Sequence, residues 1–312
     1  MRTRPAILLV LLAMSVAGAT CKGNSGAKAT TPPARPDVVP DATGAAPAAA
    51  AEIPGVDISR IRPELRADFH RILGESSCYC GCPRTLSGCL SNKEDCSCVR
   101  CSERMVDFVI KQFEGGMSAP EVEVELLDGF SEGWNAAPKT FDLENHALKG
   151  NENAKYTIVE FADFRCGHCR AAFEPLAQLV AQNPDVKLVY FYFPLGGADA
   201  PGVLAAEAAE EARVQGKFWD YARILFENQH ALELENLIAY AAMAGLDVNK
   251  LKLALDKHTH KDKVLADRRT GDAAKVESTP SIFVNGRPFG LGRTLENLKL
   301  RVDMESERGR CD

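Results

Sequence analysis

The chemistry in this chain is concentrated in its cysteines. Cys166-Gly167-His168-Cys169 stands where the apolar, β-branched run Tyr156–Phe161 passes through Ala162-Asp163-Phe164-Arg165 into a helical run from Arg170 to Ala181. A C-x-x-C at a strand-to-helix junction is a redox arrangement rather than half of a zinc site. At a helix N-terminus, unpaired N–H groups and the positive end of the dipole favour an anion, so Cys166 is expected to be a thiolate at neutral pH. The effect is large, because a thiol of pKa ~8.5 is about 3% ionised at pH 7 and one of ~6 about 90%. Cys166 is then the attacking sulfur, and Cys169, one turn in, resolves the mixed disulfide. His168 between them can place positive charge beside the thiolate, which stabilises the dithiol and makes the pair more oxidising.

A second set is denser: Cys78, Cys80, Cys82, Cys89, Cys96, Cys98 and Cys101, seven cysteines in 24 residues. Structural disulfides are the favoured reading, ahead of a second redox site or a metal. Zinc prefers C-x2-4-C pairs, whereas the C-x-C spacing alternates and no histidine lies inside the cluster. The His258-Thr259-His260 stretch reads as a solvated helix end, and Glu207, Glu210 and Glu211 as the wet face of an Ala-rich helix. No phosphate loop, nucleotide fingerprint or G-x-S-x-G elbow is present, and no cofactor is expected.

The 312 residues, 46% hydrophobic and 26% charged, leave room for about two domains. With 37 basic against 43 acidic residues and a net charge of -6, no global field draws nucleic acid. Arg2 and Arg4, the twelve-residue apolar run Ala6–Ala17 and the small residues up to Cys21 make an export signal over residues 1–20, too short to span a bilayer, which needs ~20 apolar residues. The segment resembles a bacterial lipoprotein signal, which implies acylation of Cys21, although Gly18 and Thr20 depart from the usual pattern. The rival reading is an ordinary cleavage site at Ala17 and Ala19. An uncleaved segment is the third reading, and all three put the rest of the chain outside the cytosol, where disulfides persist. Residues 21–52, rich in Ala and Pro, read as a tether.

Residues 53–138 read as a small helical domain around the cysteine cluster. Pro63 starts one helix that Gly74 ends, and Ser102 caps a second that stops at Gly115 and Gly116. Ser118 and Glu121 make a capping box for a third. Three helices give a marginal core that cross-links would help. Residues 139–312 read as an α/β domain with strands Tyr156–Phe161, Lys187–Phe193 and Ser281–Val284. Asn285-Gly286 is a hairpin turn, and a helical insertion runs from Val203 to His258.

From about Phe141 to Met304 the chain resembles the thioredoxin superfamily, and within it the DsbA-like exported thiol-disulfide oxidoreductases. The residues that carry the resemblance are Gly150-Asn151-Glu152-Asn153-Ala154, the run Val159–Phe164 into CGHC, Gly216-Lys217-Phe218-Trp219, and Ser278-Thr279-Pro280-Ser281-Ile282-Phe283-Val284-Asn285-Gly286. The resemblance implies a thioredoxin fold with a helical insertion and a cis Thr279-Pro280 bond packed against the active-site sulfurs, offering backbone to a substrate strand. Such a bond occurs in only about 5–6% of X-Pro pairs. It also implies that Glu160 is the buried carboxylate that takes the proton of Cys169, since an interior acid has a raised pKa. A solvent-facing Glu160 is the alternative. Gly-His between the cysteines is the pairing of eukaryotic protein disulfide isomerases, whereas many DsbA members carry Pro-His, so the direction of electron flow stays open.

Cys98-Val99-Arg100-Cys101 with Gly116–Glu121 distantly resembles the CcmH thiol reductases of cytochrome c maturation. The expected function is therefore formation, isomerisation or reduction of disulfides in exported proteins, with oxidase or isomerase preferred to reductase. Expected partners are unfolded or thiol-containing exported proteins, a membrane redox partner and, through lipid on Cys21, the periplasmic face of a membrane. Two alternatives remain, a cytochrome c maturation reductase and a non-catalytic cysteine-rich lipoprotein that binds metal or a partner. Eleven cysteines leave Cys311 to pair with the seven of the cluster if Cys21 carries lipid.

Overall fold

The computed structural model describes residues 53–308 other than 97 and 199. Cys21, Cys311, the signal and the tether lie outside the described residues. No described helix is long and apolar enough to cross a membrane.

The centre is a five-stranded sheet in the order β1-β3-β2-β4-β5, with β1 Ala147–Gly150, β2 Tyr156–Ala162, β3 Val186–Tyr192, β4 Ser281–Val284 and β5 Arg287–Pro288. β2 and β3 run parallel and every other pairing is antiparallel. The near-continuous apolar content of β2 and β3 follows from burial on both faces. Strand alternation then sorts their side chains. Ile158 and Leu188 pack against the cysteine-bearing helix α6 Gly167–Gln182 through Leu176 and Leu179, whereas Val159, Phe161, Phe191 and Phe193 face the opposite side. Glu160 shares the α6 side and pairs in register with Tyr190 and Ile282. Asn285 and Gly286, at φ 48° and 79°, make the two-residue turn from β4 to β5.

Before the sheet come α1 Arg66–Glu75, α2 Leu86–Ser91, α3 Val99–Glu114 and α4 Ala119–Glu125, then a π-helical turn at Leu126–Glu132 and the single turn α5 Gly133–Asn135. Three differences from the sequence reading have local causes. α3 begins at Val99 with Cys98 as N-cap, which leaves Ser102 buried inside the helix rather than capping it. α2 lies inside the cysteine cluster, where its six residues are too few to show a helical period. β1, a short edge strand, carries no run of β-branched residues. The Ser118–Glu121 capping box forms as expected.

Between β3 and β4 lie α7 Pro201–Val214, α8 Phe218–Glu227, α9 Leu234–Met243, α10 Val248–Asp256 and α11 Lys261–Ala273. Glu207, Glu210 and Glu211 of α7 are buried, not solvated. Their partners explain it: His258 Nδ1 sits 3.0 Å from Glu207, His260 Nε2 2.7 Å from Glu211, and Tyr192 Oη donates to Glu210 at 3.0 Å. Both histidines are thus hydrogen-bond partners of α7, His260 largely covered while His258, 58% exposed, keeps the solvation expected of a helix end.

The final helix, α12 Leu295–Ser306, packs between the sheet region and the N-terminal helices. Its buried Arg301 donates to the carbonyls of Gly129 and Gly133 at 3.4 and 3.3 Å and pairs with Glu305. Arg308 lies over the Trp134 ring, and Arg104 of α3 pairs with Glu307 at 2.6 Å. One apolar cluster runs from Phe69, Phe108 and Phe113 through Phe130 to Leu176, Val284 and Met304. The seam is tight: a Cβ on Gly290 would lie 2.4 Å from the Asp128 carbonyl oxygen.

Candidate functional site

β2 ends at Ala162, and a three-residue link, Asp163-Phe164-Arg165, carries the chain to Cys166, the N-cap of α6. Asp163 builds that link. Its carboxylate accepts from the N–H groups of Arg165 and Leu195, both at 2.9 Å, while its carbonyl accepts from Cys166 N at 3.0 Å. Gly202 of α7 is required beside it, because a Cβ there would come 2.7 Å from Asp163 Oδ1. From the other side, Gln229 Nε2 donates to the carbonyls of Phe164 and Cys166, both at 2.8 Å. Sequence reasoning missed Gln229. It lies 63 residues from Cys166 just beyond α8, and a polar residue after a helix carries no local signal of a long-range contact.

The two sulfurs differ in access. Cys166 is partly exposed and Cys169 fully buried. Cys166 Sγ accepts the Cys169 N–H at 3.4 Å and donates, as thiol, to the Thr279 carbonyl at 3.2 Å. The hydrogen bond from the Cys169 thiol, the Thr279 side-chain hydroxyl and the N–H groups of Cys169 and His168 outweigh partial burial and bring the Cys166 thiol down to about 5. Burial, the Cys166 sulfur and the negative charge of Glu160 push Cys169 far upward. The His168 ring is exposed, and what His168 contributes to the thiolate is its backbone N–H.

Glu160 is 1% exposed, and its Oε1 has no hydrogen-bond partner among the described residues. Burial first, then the charge of Cys166, raises its carboxyl to about 8, with Arg293 acting in the opposite direction. The solvent-facing alternative is thereby excluded. Tyr190, its neighbour across the sheet, is also fully buried and pushed upward, by burial first and then by Glu160 and Cys169. The Thr279-Pro280 bond is cis, and Arg293 holds the Pro280 carbonyl at 3.1 Å. Cys166, Cys169, Glu160, Thr279 and Pro280 therefore converge at the α6 N-terminus and the start of β4.

The N-terminal cysteines gather apart from this site. Cys89 and Cys96 form a disulfide, and Cys78, Cys80, Cys82, Cys98 and Cys101 are free. The disulfide framework expected from sequence is present in the described residues as that single bridge. Five free thiols cannot all pair with one another, and Cys311 lies outside the described residues.

The thioredoxin family model matches residues 142–304, and the chain belongs to that family. Curated relatives include Na(+)/H(+) antiporter NhaA 3 of Salinispora tropica, 32% identical over 169 residues, and Na(+)/H(+) antiporter NhaA of Herminiimonas arsenicoxydans, 37% identical over 147. The matches take in 54% and 47% of this chain but only 26% and 23% of those proteins, so the chain spans about a quarter of the length of these relatives. Among solved structures it is similar to a thioredoxin-like oxidoreductase from Silicibacter pomeroyi, at 26% identity and TM-score 0.48, covering 53% of this chain and 95% of that one. It is also similar to oxidised BdbD from Bacillus subtilis, at 23% identity and TM-score 0.49, covering 55% and 97%.

Proposed function

We propose that the protein is an exported thiol-disulfide oxidoreductase that forms or isomerises disulfides in thiol-containing exported proteins. The observation that carries the reading is the asymmetry of the CGHC pair, in which an accessible sulfur held near pKa 5 stands at a helix N-terminus before a buried sulfur pushed upward. Membership of the thioredoxin family supports the chemistry.

In the oxidising direction a substrate thiolate attacks Cys166 Sγ of the Cys166–Cys169 disulfide. Cys169 leaves and takes the proton of Glu160, whose carboxyl burial raises above its ordinary range so that it holds a proton to give. A second substrate thiolate then attacks the substrate sulfur of the mixed disulfide. Cys166 departs as a thiolate and at its low pKa needs no proton, so release of a low-pKa leaving group drives the step. The substrate strand lies along the Thr279-Pro280 backbone, by strand addition. Run backwards, with Glu160 as base, the same steps reduce a disulfide.

Export rests on the signal in residues 1–20, and membrane attachment on a lipid at Cys21 with the tether as spacer. A membrane partner would re-oxidise the pair. The test is dithiothreitol-driven insulin reduction together with refolding of reduced ribonuclease. Loss of both in Cys166→Ser is expected, and retention of both overturns the reading. A Cys166–Cys169 potential as low as thioredoxin's, about -270 mV, would assign reduction instead.

A further inference from the structure

The N-terminal cysteine cluster is arranged by the fold in a way its spacing conceals. Cys82 comes from the loop before α2, Cys89 from α2 itself, Cys96 from the loop after it, and Cys98 from the N-cap of α3. Their four Sγ atoms all lie within 4.8 Å of one another. Three of these residues are buried and Cys82 partly so, inside an apolar shell that includes Leu86 and Leu90.

The distances are informative. A zinc–sulfur bond of about 2.3 Å places the sulfurs of a tetrahedral site about 3.8 Å apart. Cys82–Cys89 and Cys89–Cys98 are each 3.8 Å, and Cys96–Cys98 is 3.6 Å. The edge between Cys89 and Cys96 is closed by a disulfide. Four sulfurs in tetrahedral array are the donor set of zinc. The objection from spacing disappears, because this set takes only one of the three cysteines in Cys78-x-Cys80-x-Cys82. Cys78 and Cys80 instead form a second group with Cys98. The N-terminus of the 16-residue α3, which has no side-chain cap, faces this sulfur set through Cys98 and favours the negative charge that four thiolates bring.

We propose that Cys82, Cys89, Cys96 and Cys98 are a redox-gated site for a zinc-like divalent ion, complete when the Cys89–Cys96 disulfide is reduced and dismantled when it forms. The oxidant is a disulfide, of a small molecule or a protein. Two thiolates of the loaded site, Cys89 and Cys96, give up two electrons and join as a disulfide. The oxidant accepts those electrons with two protons and becomes two thiols. The ion leaves, and Cys82 and Cys98 take up two further protons. Four protons are consumed for each ion released, and reduction by a dithiol reverses every step. This inference stands apart from the exchange reaction at Cys166, so either can fail alone.

The experiment uses the full chain, reduced with dithiothreitol under anaerobic conditions, desalted, and titrated with zinc sulfate against a chromogenic chelator and separately with cobalt(II). One equivalent of zinc is expected, or two if Cys78 and Cys80 with Cys98 take a second ion, with sulfur-to-cobalt charge-transfer absorption and protection of Cys82, Cys89, Cys96 and Cys98 from alkylation. Glutathione disulfide should release the ion as a Cys89–Cys96 cross-link appears in the peptide map. Cys82→Ser, at the least buried ligand, should weaken zinc by at least about 100-fold, since loss of outer-shell partners alone costs 10–100-fold. Cys166→Ser should leave zinc binding unchanged. A reduced chain with native far-ultraviolet circular dichroism that binds neither ion overturns the proposal. Undiminished binding after the Cys89–Cys96 bridge has formed, or in Cys82→Ser, overturns it equally.

Discussion

Two C-x-x-C pairs in this chain occupy the same position in their helices, and the fold gives them opposite environments. Cys166 and Cys98 are the N-caps of α6 and α3, and Cys169 and Cys101 follow one turn in. At α6 the N-cap sulfur is partly exposed and accepts the Cys169 N–H. At α3 the N-cap sulfur is fully buried, makes no cap hydrogen bond and sits 3.6 and 3.8 Å from Cys96 and Cys89. The order of acidity reverses as well. Cys166 is the lowered thiol of its pair. In the other pair burial raises Cys98, while hydrogen bonds from Cys78 and Cys80, then Tyr79 and the charge of Arg104, lower Cys101. Spacing and a helix dipole therefore do not make a redox nucleophile. An accessible sulfur is needed, with donors aimed at it and no competing sulfur in reach.

The largest expected effect breaks the comparison if the pairs are alike. Cys166→Ser should lower insulin reduction by at least about 10³-fold, since it removes the attacking thiolate. Cys98→Ser should leave the same assay within about twofold.

Next in size is Glu160→Gln. Loss of a positioned acid–base group should slow resolution of the mixed disulfide by about 10²-fold at pH 7, read by quenched-flow trapping of the Cys166 adduct. Its pH dependence has a definite sign. The Glu160 carboxyl is raised from 4.5 to about 8 by folding, so its contribution to stability is fully present below 4.5 and lost as pH rises through 8. Cys166 acts the other way in the reduced protein. It is lowered from 9.0 to about 5, so its contribution is present above 9 and lost as pH falls through 5. Urea melts of the oxidised form, where Cys166 does not titrate and burial alone raises the carboxyl, should show wild type losing stability as pH rises above 4.5 relative to Glu160→Gln. Equal slopes would place Glu160 outside the buried site.

Two smaller effects sharpen the comparison. Gln229→Ala removes two hydrogen bonds to the Phe164 and Cys166 carbonyls. It should cost about 1–2 kcal/mol in a denaturant melt. The loss of activity should follow kcat rather than KM. Gly290→Ala should cost about 1–3 kcal/mol by overpacking the seam against Asp128, with the Cys166 titration unmoved.

Much of the CGHC site was legible because its signals are local: a strand period, a helix start, two cysteines three apart, and Asn285-Gly286 at a turn. Glu160 was read through the family resemblance, which implies a buried carboxylate six residues before Cys166 in an otherwise apolar strand. The burial of Glu207, Glu210 and Glu211 was not legible, since α7 is Ala-rich and its charges look solvated until His258 and His260, 49 to 51 residues away, arrive beside them. Gln229 and Arg293 were hidden for the same reason. The arrangement of the N-terminal cluster was not legible from spacing, because sulfurs from four separate places in the chain meet only after α2 and α3 pack.

Cys166 is the accessible, low-pKa sulfur, and its counterpart at α3 is buried and raised. Iodoacetamide labelling of the reduced, folded chain across pH 4–9, with each cysteine resolved by peptide mass spectrometry, tests it most directly. Ionisation near 5 rather than 9 raises the thiolate fraction at pH 6 by about 900-fold, and lower intrinsic nucleophilicity takes back about 40–100-fold, leaving about a 10–20-fold net advantage over an ordinary exposed thiol. The account predicts labelling of Cys166 first, with a midpoint at pH about 5, and Cys98 untouched on that timescale. A Cys166 midpoint near its ordinary 9.0, or equal labelling of Cys98, would contradict it.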